Sequence, residues 1–301
     1  MVAKLRERLG AGFDEVHVVA VQLLGVLTRR AVVRLFRLVA LLNQLSLPTL
    51  EQVQLAADDI REPALEQHLL TLVRILLRTW NLFHGNSVPP QRRAFLEEMV
   101  RHIATDGPDL VCLQEVPVWA LRRLDAWSGM RTVGAVARAP RLVSAELGRL
   151  TTELHHGLFR SAFTGEADAI LVAPRFGVSH ERTLVVSTSG LRRIVHGLRL
   201  DGRIFVANFH TQGDEQLRAV ADFVQSQADE EAIVAGDANV RPEESNVYGL
   251  LRRRGFSEPL PRSIDQMLVR GLDLARGPAA LPHTLDGLVL SDHAPLEAVV
   301  E

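Results

Sequence analysis

Cysteine is nearly absent. Cys112 is the only one in 301 residues, so an intramolecular disulfide is excluded and a thiolate zinc site within one chain has no ligands to draw on. Cys112 lies in the apolar run Leu110 to Leu113 and reads as a small buried hydrophobe, not a reactive thiol. Lysine is equally scarce: Lys4 is the only one, and the rest of the basic charge is arginine. Aromatic residues make up only 5% and the formal net charge is −2. A strongly basic field and stacking platforms, the usual equipment of a nucleic-acid groove, are therefore both missing. Any anion bound here must be bound at a focused site. Long apolar runs are missing as well. The stretch Val16 to Leu27, bounded by Asp14, Glu15, Arg29 and Arg30, falls short of the ~18 residues a membrane span requires. No small-x-small cleavage site follows it, so it does not read as a secretion signal, and a cytoplasmic protein is expected.

Apolar residues make up 47% and charged residues 23%, an ordinary balance for a globular chain with a sizeable core. Two textures divide near residue 70. Asp14 to Asn43 reads as helix, with Leu35, Leu38, Val39 and Leu42 at helical spacing and Arg30, Arg34 and Arg37 on one stripe. No acidic residue occurs from Val16 to Leu47. Pro48 breaks the pattern, and Thr49 with Gln52 forms a capping box for a second helix over Glu51 to Asp59. Residues 1–70 thus read as a helical appendage. Its arginine stripe is either a solvated face or a basic amphipathic helix in peripheral contact with an anionic membrane or a partner.

Residues 71–301 read as one domain in which short apolar runs alternate with amphipathic stretches. Strands are expected at Leu72 to Trp80, Asp109 to Leu113, Ala169 to Ala173, Arg182 to Ser187, Arg193 to Leu200, Ile204 to Asn208, Ala232 to Ala235, Gln266 to Val269 and Ala294 to Val300. Helices are expected at Gln91 to Thr105 and Glu215 to Gln227. Arg131 to Phe163 gives weak signals. The mixture points to a layered α/β protein.

Several polar residues share one placement, where an apolar strand runs into a loop. They are Asn81, Glu115, Asn208 with His210, Asp237 with Asn239, Asp265, and Asp292 with His293. Strand ends are rigid supports that open onto solvent. Carboxylate and amide oxygens without thiolates suit a hard divalent cation, Mg²⁺ or Mn²⁺. A held cation, an oriented water and donors where charge develops are what phosphoester hydrolysis needs. Taken singly each piece has a plainer reading. Asp237-x-Asn239 is an Asx-type turn, Leu113-Gln114-Glu115 a solvated strand end, His210 a hydrogen-bonded core histidine, and Ser291-Asp292-His293 a turn before an edge strand. Their weight lies in occurring together and in order.

Trp80-Asn81, Leu113-Gln114-Glu115, Asn208-x-His210, Gly236-Asp237-x-Asn239, Ile264-Asp265 and Ser291-Asp292-His293 resemble the ordered motif set of the endonuclease/exonuclease/phosphatase superfamily. That group has the deoxyribonuclease-I-like fold and includes abasic-site endonucleases, sphingomyelinases and inositol polyphosphate phosphatases. The resemblance runs from about Leu72 to the C-terminus and does not cover residues 1–70. It implies a four-layered α/β sandwich of two packed mixed sheets, with the site where loops of both sheets meet. It implies Glu115 as the main metal ligand, Asn81 beside it in contact with metal or phosphate, and Asp292 in metal binding or in orienting its neighbours. Asp237 would orient or deprotonate the attacking water, Asn239 would hold a phosphate oxygen, and His210 and His293 would donate to phosphate oxygens. Asp265 would pair with His293 and keep it charged. Asn208 belongs to the same motif set and is taken as a substrate-binding residue. Two departures stand out. Ala238 occupies a place that is often aromatic, and Asp168 one that is often Asn, which is either an extra negative charge near the phosphate site, where Asp168 would be a substrate-binding residue, or a surface Asp if the loop turns away. A metal-dependent phosphoesterase is implied, its substrate more in keeping with a small, sugar or lipid phosphate ester than with duplex nucleic acid. The alternative is a non-catalytic phosphate-ligand or partner-binding module on the same fold.

Overall fold

The computed structural model describes residues 74–140, 163–187 and 191–301, all within the unit Leu72–Glu301. The helices expected before residue 70, with their arginine stripe, lie outside the described residues. Among the described residues fourteen strands are formed: β1 Ile75–Asn81, β2 Ser87–Val88, β3 Leu110–Val116, β4 Arg131–Arg138, β5 Glu166–Val172, β6 Val178–Ser187, β7 Arg193–Leu200, β8 Ile204–His210, β9 Ala232–Asp237, β10 Asp265–Arg270, β11 Leu274–Ala280, β12 Thr284–Leu285, β13 Leu288–Leu290 and β14 Leu296–Val300. The α-helices lying wholly among the described residues are α1 Leu96–Ile103, α2 Leu124–Ser128, α3 Asp214–Gln227 and α4 Val247–Arg253.

One sheet has the order β11-β14-β1-β3-β5-β4 and the second β10-β9-β8-β7-β6; a small third sheet has the order β12-β13-β2. Both large sheets are mixed, with β1–β3 and β8–β9 parallel and their other pairings antiparallel. The two-residue alternation of side chains explains the layering. Ile75, Leu77, Leu110, Cys112 and Ile170 of the first sheet pack against Leu198, Ile204, Val206, Ile233 and Met267 of the second. Val111, Leu113 and Leu171, one residue out of phase, meet Leu96, Met99 and Ile103 of α1. Phe205, Ala207 and Val234 meet Leu217, Val220 and Val224 of α3 and Leu251 of α4. The result is the four-layered sandwich that the resemblance implies. No helix among the described residues is long and apolar enough to cross a membrane.

Register carries the polar strand ends to one place. Parallel pairing sets His210 beside Asp237, and antiparallel pairing sets Asp265 beside Asp237. In the other sheet Asn81 is level with Gln114. Gly236 packs directly on β8: with φ at +154°, a Cβ there would lie 2.0 Å from the Phe209 carbonyl oxygen, so only glycine can precede Asp237.

Candidate active site

The first sheet contributes Asn81 and Glu115. Asn81 Nδ2 donates to Asp237 Oδ2 at 3.0 Å, and its Oδ1 accepts from the Phe83 N–H. Glu115 sits in the left-handed region with φ at +54°, where the pairing of β3 with β5 shifts register between Leu113 and Val116. A bulge that re-aims a side chain is a common device next to active sites. Glu115 Oε2 faces His84 Nε2 at 3.4 Å and its Oε1 faces His210 Nε2 at 3.7 Å.

Asp237 is fully buried and acts as a hub. Its Oδ1 accepts from the Asn239 N–H in an Asx turn that holds Asn239 at φ +50°. Its Oδ2 accepts from the side chains of Asn81 and Asn239 and lies 3.4 Å from His210 Nε2 and 3.8 Å from His293 Nε2. Asn239 is exposed, and its Nδ2 is shared with the Thr211 carbonyl.

His293 reaches Asp265 through Nδ1, at 3.1 and 2.9 Å from the two carboxylate oxygens. Burial lowers its pKa, but the Asp265 hydrogen bond and charge, with Asp237 and Asp292 behind them, outweigh burial and lift it to about 9. The imidazole is thus charged at neutral pH. Trp80 Nε1 donates to the His293 carbonyl at 2.8 Å, so Trp80, which is buried, fixes the backbone of this histidine. Asp292 is exposed at the rim, its Oδ1 3.9 Å from His293 Nε2. One ligand atom each of Asp237, Asp265 and His293 lies within 4.8 Å of the others, a spacing compatible with a cation.

Beneath these lies a layer that the sequence did not reveal. His210 Nδ1 faces Glu166 Oε1 at 3.4 Å and Arg193 Nη1 at 2.7 Å, and Arg193 Nη1 is bonded to Glu166. Burial pushes the Glu166 carboxyl up, but its bond to His210 and the Arg193 charge prevail and bring it down to about 2. The only sequence signal for Glu166 and Arg193 is that each is a charged residue opening a strand buried along its length.

Two sequence expectations meet a different placement. Asn208 is fully buried. Its Nδ2 donates to the carbonyls of Leu113 and Ala169, and its Oδ1 accepts from Gln114 Nε2. It ties the two sheets together below the site and does not face a substrate. Asp168 is 1% exposed, and neither carboxylate oxygen has a partner among the described residues. Burial pushes its carboxyl up to about 8, with His210 opposing and Glu166 adding. It is a protonated group inside the protein at neutral pH. The unfolded chain releases this proton near its ordinary value, about 4, so stability contributed by the protonated form drains away as pH rises from about 4 to 8. Asp168→Asn is expected to flatten this slope and to raise Tm at pH 8 by about 5 °C or more; thermal unfolding of both proteins from pH 5 to pH 8 measures it.

The residues present suit a hard divalent cation. Glu115, Asp292 and Asn81 offer oxygen donors. Among the described residues no arginine lies within ion-pairing distance of Glu115, Asp237, Asp265 or Asp292, and imidazoles are their only counter-charges.

Comparison with known proteins agrees with this architecture. The family model described as the Endonuclease/Exonuclease/phosphatase family matches residues 79–293. Among solved structures, a functionally unknown conserved protein from Enterococcus faecalis is 18% identical with a TM-score of 0.54, covering 75% of this chain and 99% of that one. An endonuclease/exonuclease/phosphatase from Bacteroides vulgatus is 18% identical with a TM-score of 0.52, covering 76% and 99%. TDP2 from Caenorhabditis elegans is 17% identical with a TM-score of 0.50, covering 77% and 76%. No curated protein matches the chain. With the fold, the six motifs and the family match in agreement, the chain belongs to the endonuclease/exonuclease/phosphatase family.

Proposed function

We propose that residues 71–301 form a divalent-metal-dependent phosphoesterase domain, hydrolysing a phosphodiester or phosphomonoester by water attack. The observation that carries this reading is the convergence at one end of the sandwich of Glu115, Asp237, Asp265 and His293, with His293 held charged beside three carboxylates. Glu115 would hold the cation, Mg²⁺ or Mn²⁺, with Asn81 and Asp292 beside it. When bound, the cation supplies Lewis-acid polarisation of the phosphoryl oxygen and neutralises developing charge. Asp237, whose Oδ2 faces the Nε2 atoms of both His210 and His293, orients the attacking water and accepts its proton. His293 donates to a phosphoryl oxygen from a side chain that still reaches solvent, and Asn239 binds a second oxygen at the rim. His210, deeper, is held by Glu166 and Arg193 and braces both Glu115 and Asp237. Donors aimed where negative charge grows are the largest single contribution such a site can make.

The net charge and the few aromatics favour a compact phosphate ester over duplex nucleic acid. The arginine stripe before residue 40 favours an anionic membrane surface as the place where such a substrate is met. Equal binding to anionic vesicles by the full chain and by residues 71–301 would sink that part.

Asp237, Asp265 and His293 also have the spacing for a cation. A cation there would have to displace the proton that keeps His293 charged below about 9, whereas Glu115 binds without that cost, so we assign this trio to proton and phosphate binding. Hydrolysis of a chromogenic phosphodiester and monoester, with Mg²⁺, Mn²⁺ or EDTA, tests the proposal. Turnover that EDTA abolishes is the expected result. No turnover together with no metal binding would transfer the assignment to a phosphate-binding module.

A further inference from the structure

His84 plays no part in the motif set, and three observations single it out. First, Phe83, His84 and Gly85 follow one another at φ +47°, +52° and +83°. Left-handed backbone is unfavourable for a residue with a side chain, and it persists only where the surroundings enforce it. Here they do. The Phe83 N–H donates to Asn81 Oδ1, Gly85 N–H to the Leu82 carbonyl, Asn86 N–H to the Phe83 carbonyl and Phe95 N–H to the Gly85 carbonyl, all between 2.7 and 3.0 Å. Gly85 is pressed against α1, where a Cβ would lie 2.6 Å from Leu96 Cγ. Second, the loop delivers the His84 ring into the protein, 8% exposed, with Nδ1 buried and without a partner among the described residues. Third, its other nitrogen, Nε2, faces Glu115 Oε2 at 3.4 Å, and the next carboxylate, Glu166 Oε2, is at 4.0 Å. A left-handed residue in the loop after β1 and a left-handed residue of β3 thus meet, ring against carboxylate.

We propose that His84 is a positioning residue for Glu115, its Nε2–H holding Oε2 of the carboxylate so that Oε1 is presented to the divalent cation. The proposal rests on the reading of Glu115 as metal ligand. A neutral imidazole can orient a carboxylate without cancelling its charge, which a guanidinium at the same distance would do. Groups that orient a ligand in this way are typically worth about 10–100-fold in metal affinity. The 3.4 Å separation is long for a hydrogen bond, as contacts in a catalytic site commonly are before its ligands arrive.

Mn²⁺ alone, titrated into the full-length protein and followed by electron paramagnetic resonance, gives a readout independent of turnover. His84→Leu and His84→Gln form a matched pair: both keep similar volume and the same backbone strain, and only glutamine keeps an N–H near the position of Nε2. We expect His84→Leu to raise the Mn²⁺ Kd about 10–100-fold and His84→Gln to restore it to within about 3-fold of wild type. In the hydrolysis assay His84→Leu should need more Mn²⁺ for half-maximal rate while keeping most of kcat at saturation. If the leucine variant does not fold, as judged by circular dichroism, His84→Ala takes its place. Wild-type affinity in the leucine variant overturns the proposal. So does equal loss in leucine and glutamine variants of equal Tm, since a packing role would not tell them apart. Failure of the underlying reading looks different: wild type would not bind Mn²⁺, or binding would survive Glu115→Gln.

Discussion

Glu115→Gly should abolish metal-dependent hydrolysis and at the same time leave the protein as stable as wild type, or more so. Most losses of a half-buried side chain go the other way, so the sign is informative. Glu115 is held at φ +54°, where a side chain is penalised and glycine is not; relief of that strain is worth about 1 kcal/mol. It also sits among like charges, with His84 and His210 as its nearest counter-groups and no arginine within pairing distance among the described residues. Removing it therefore relieves repulsion from Asp292, which feels the Glu115 charge. A gain of about 1 kcal/mol corresponds to about 2–4 °C in Tm for a domain of this size. The rate should fall by at least about 10³-fold, because a cation that stabilises the transition state by several kcal/mol has lost its principal ligand. Thermal unfolding and hydrolysis assays on the same preparation decide it. A variant that loses stability and activity together would mean that Glu115 is held at this angle for packing, not for function.

The same strained residue marks the limit of what could be read from sequence. Glu115 as a strand-end carboxylate was legible, because the apolar run Leu110 to Leu113 stops just before it. The bulge that turns it was not, since a bulge is a property of the pairing between β3 and β5 and not of either strand. Asp237, Asp265 and His293 were legible one by one, whereas their alignment depends on the register of β8, β9 and β10. Glu166 and Arg193 escaped because each is recognisable only by its partner, 27 residues away. Asn208 and Asp168 were legible as polar residues in strands, but a sequence does not tell which face of a strand looks at a substrate and which at another sheet. Among the elements, β4 was unreadable because Gly134, Ala135 and Ala137 give almost no amplitude to its alternation. The edge strand β11 carries Gly277 and Pro278 and is mostly exposed, where a strand needs no apolar pattern. Helix α1 begins at Leu96, later than the expected Gln91, because the chain before it is tied back through Phe95 N–H to the Gly85 carbonyl. Local pattern, in short, reports which residues sit at strand ends; pairing decides which of them meet.

The pairing of His293 with Asp265 makes the second prediction one of pH. A histidine whose folded pKa is raised is charged below that value and loses its charge as pH climbs through it, so the donor that His293 supplies should fail above about pH 9. Asp265→Asn removes the negative charge that contributes most to this elevation while leaving an oxygen able to accept from Nδ1. The pKa of His293 should then fall toward its ordinary value of about 6.5. At pH 8 the charged fraction would drop from about nine-tenths to about 3%, so kcat/KM should fall roughly 30-fold, whereas at pH 6 about three-quarters of the imidazole stays charged and the loss should nearly vanish. His293→Ala, by contrast, should lose activity at every pH. Titrating the His293 Cε1–H resonance in both proteins measures the same shift without reference to turnover. Because the other titrating groups are common to wild type and variant, the displacement of the basic limb between them isolates this pair. A limb that stays near pH 9 in Asp265→Asn would show that the charge on His293 is maintained by Asp237 and Asp292, and the division of labour proposed for the two aspartates flanking this ring would have to be reversed.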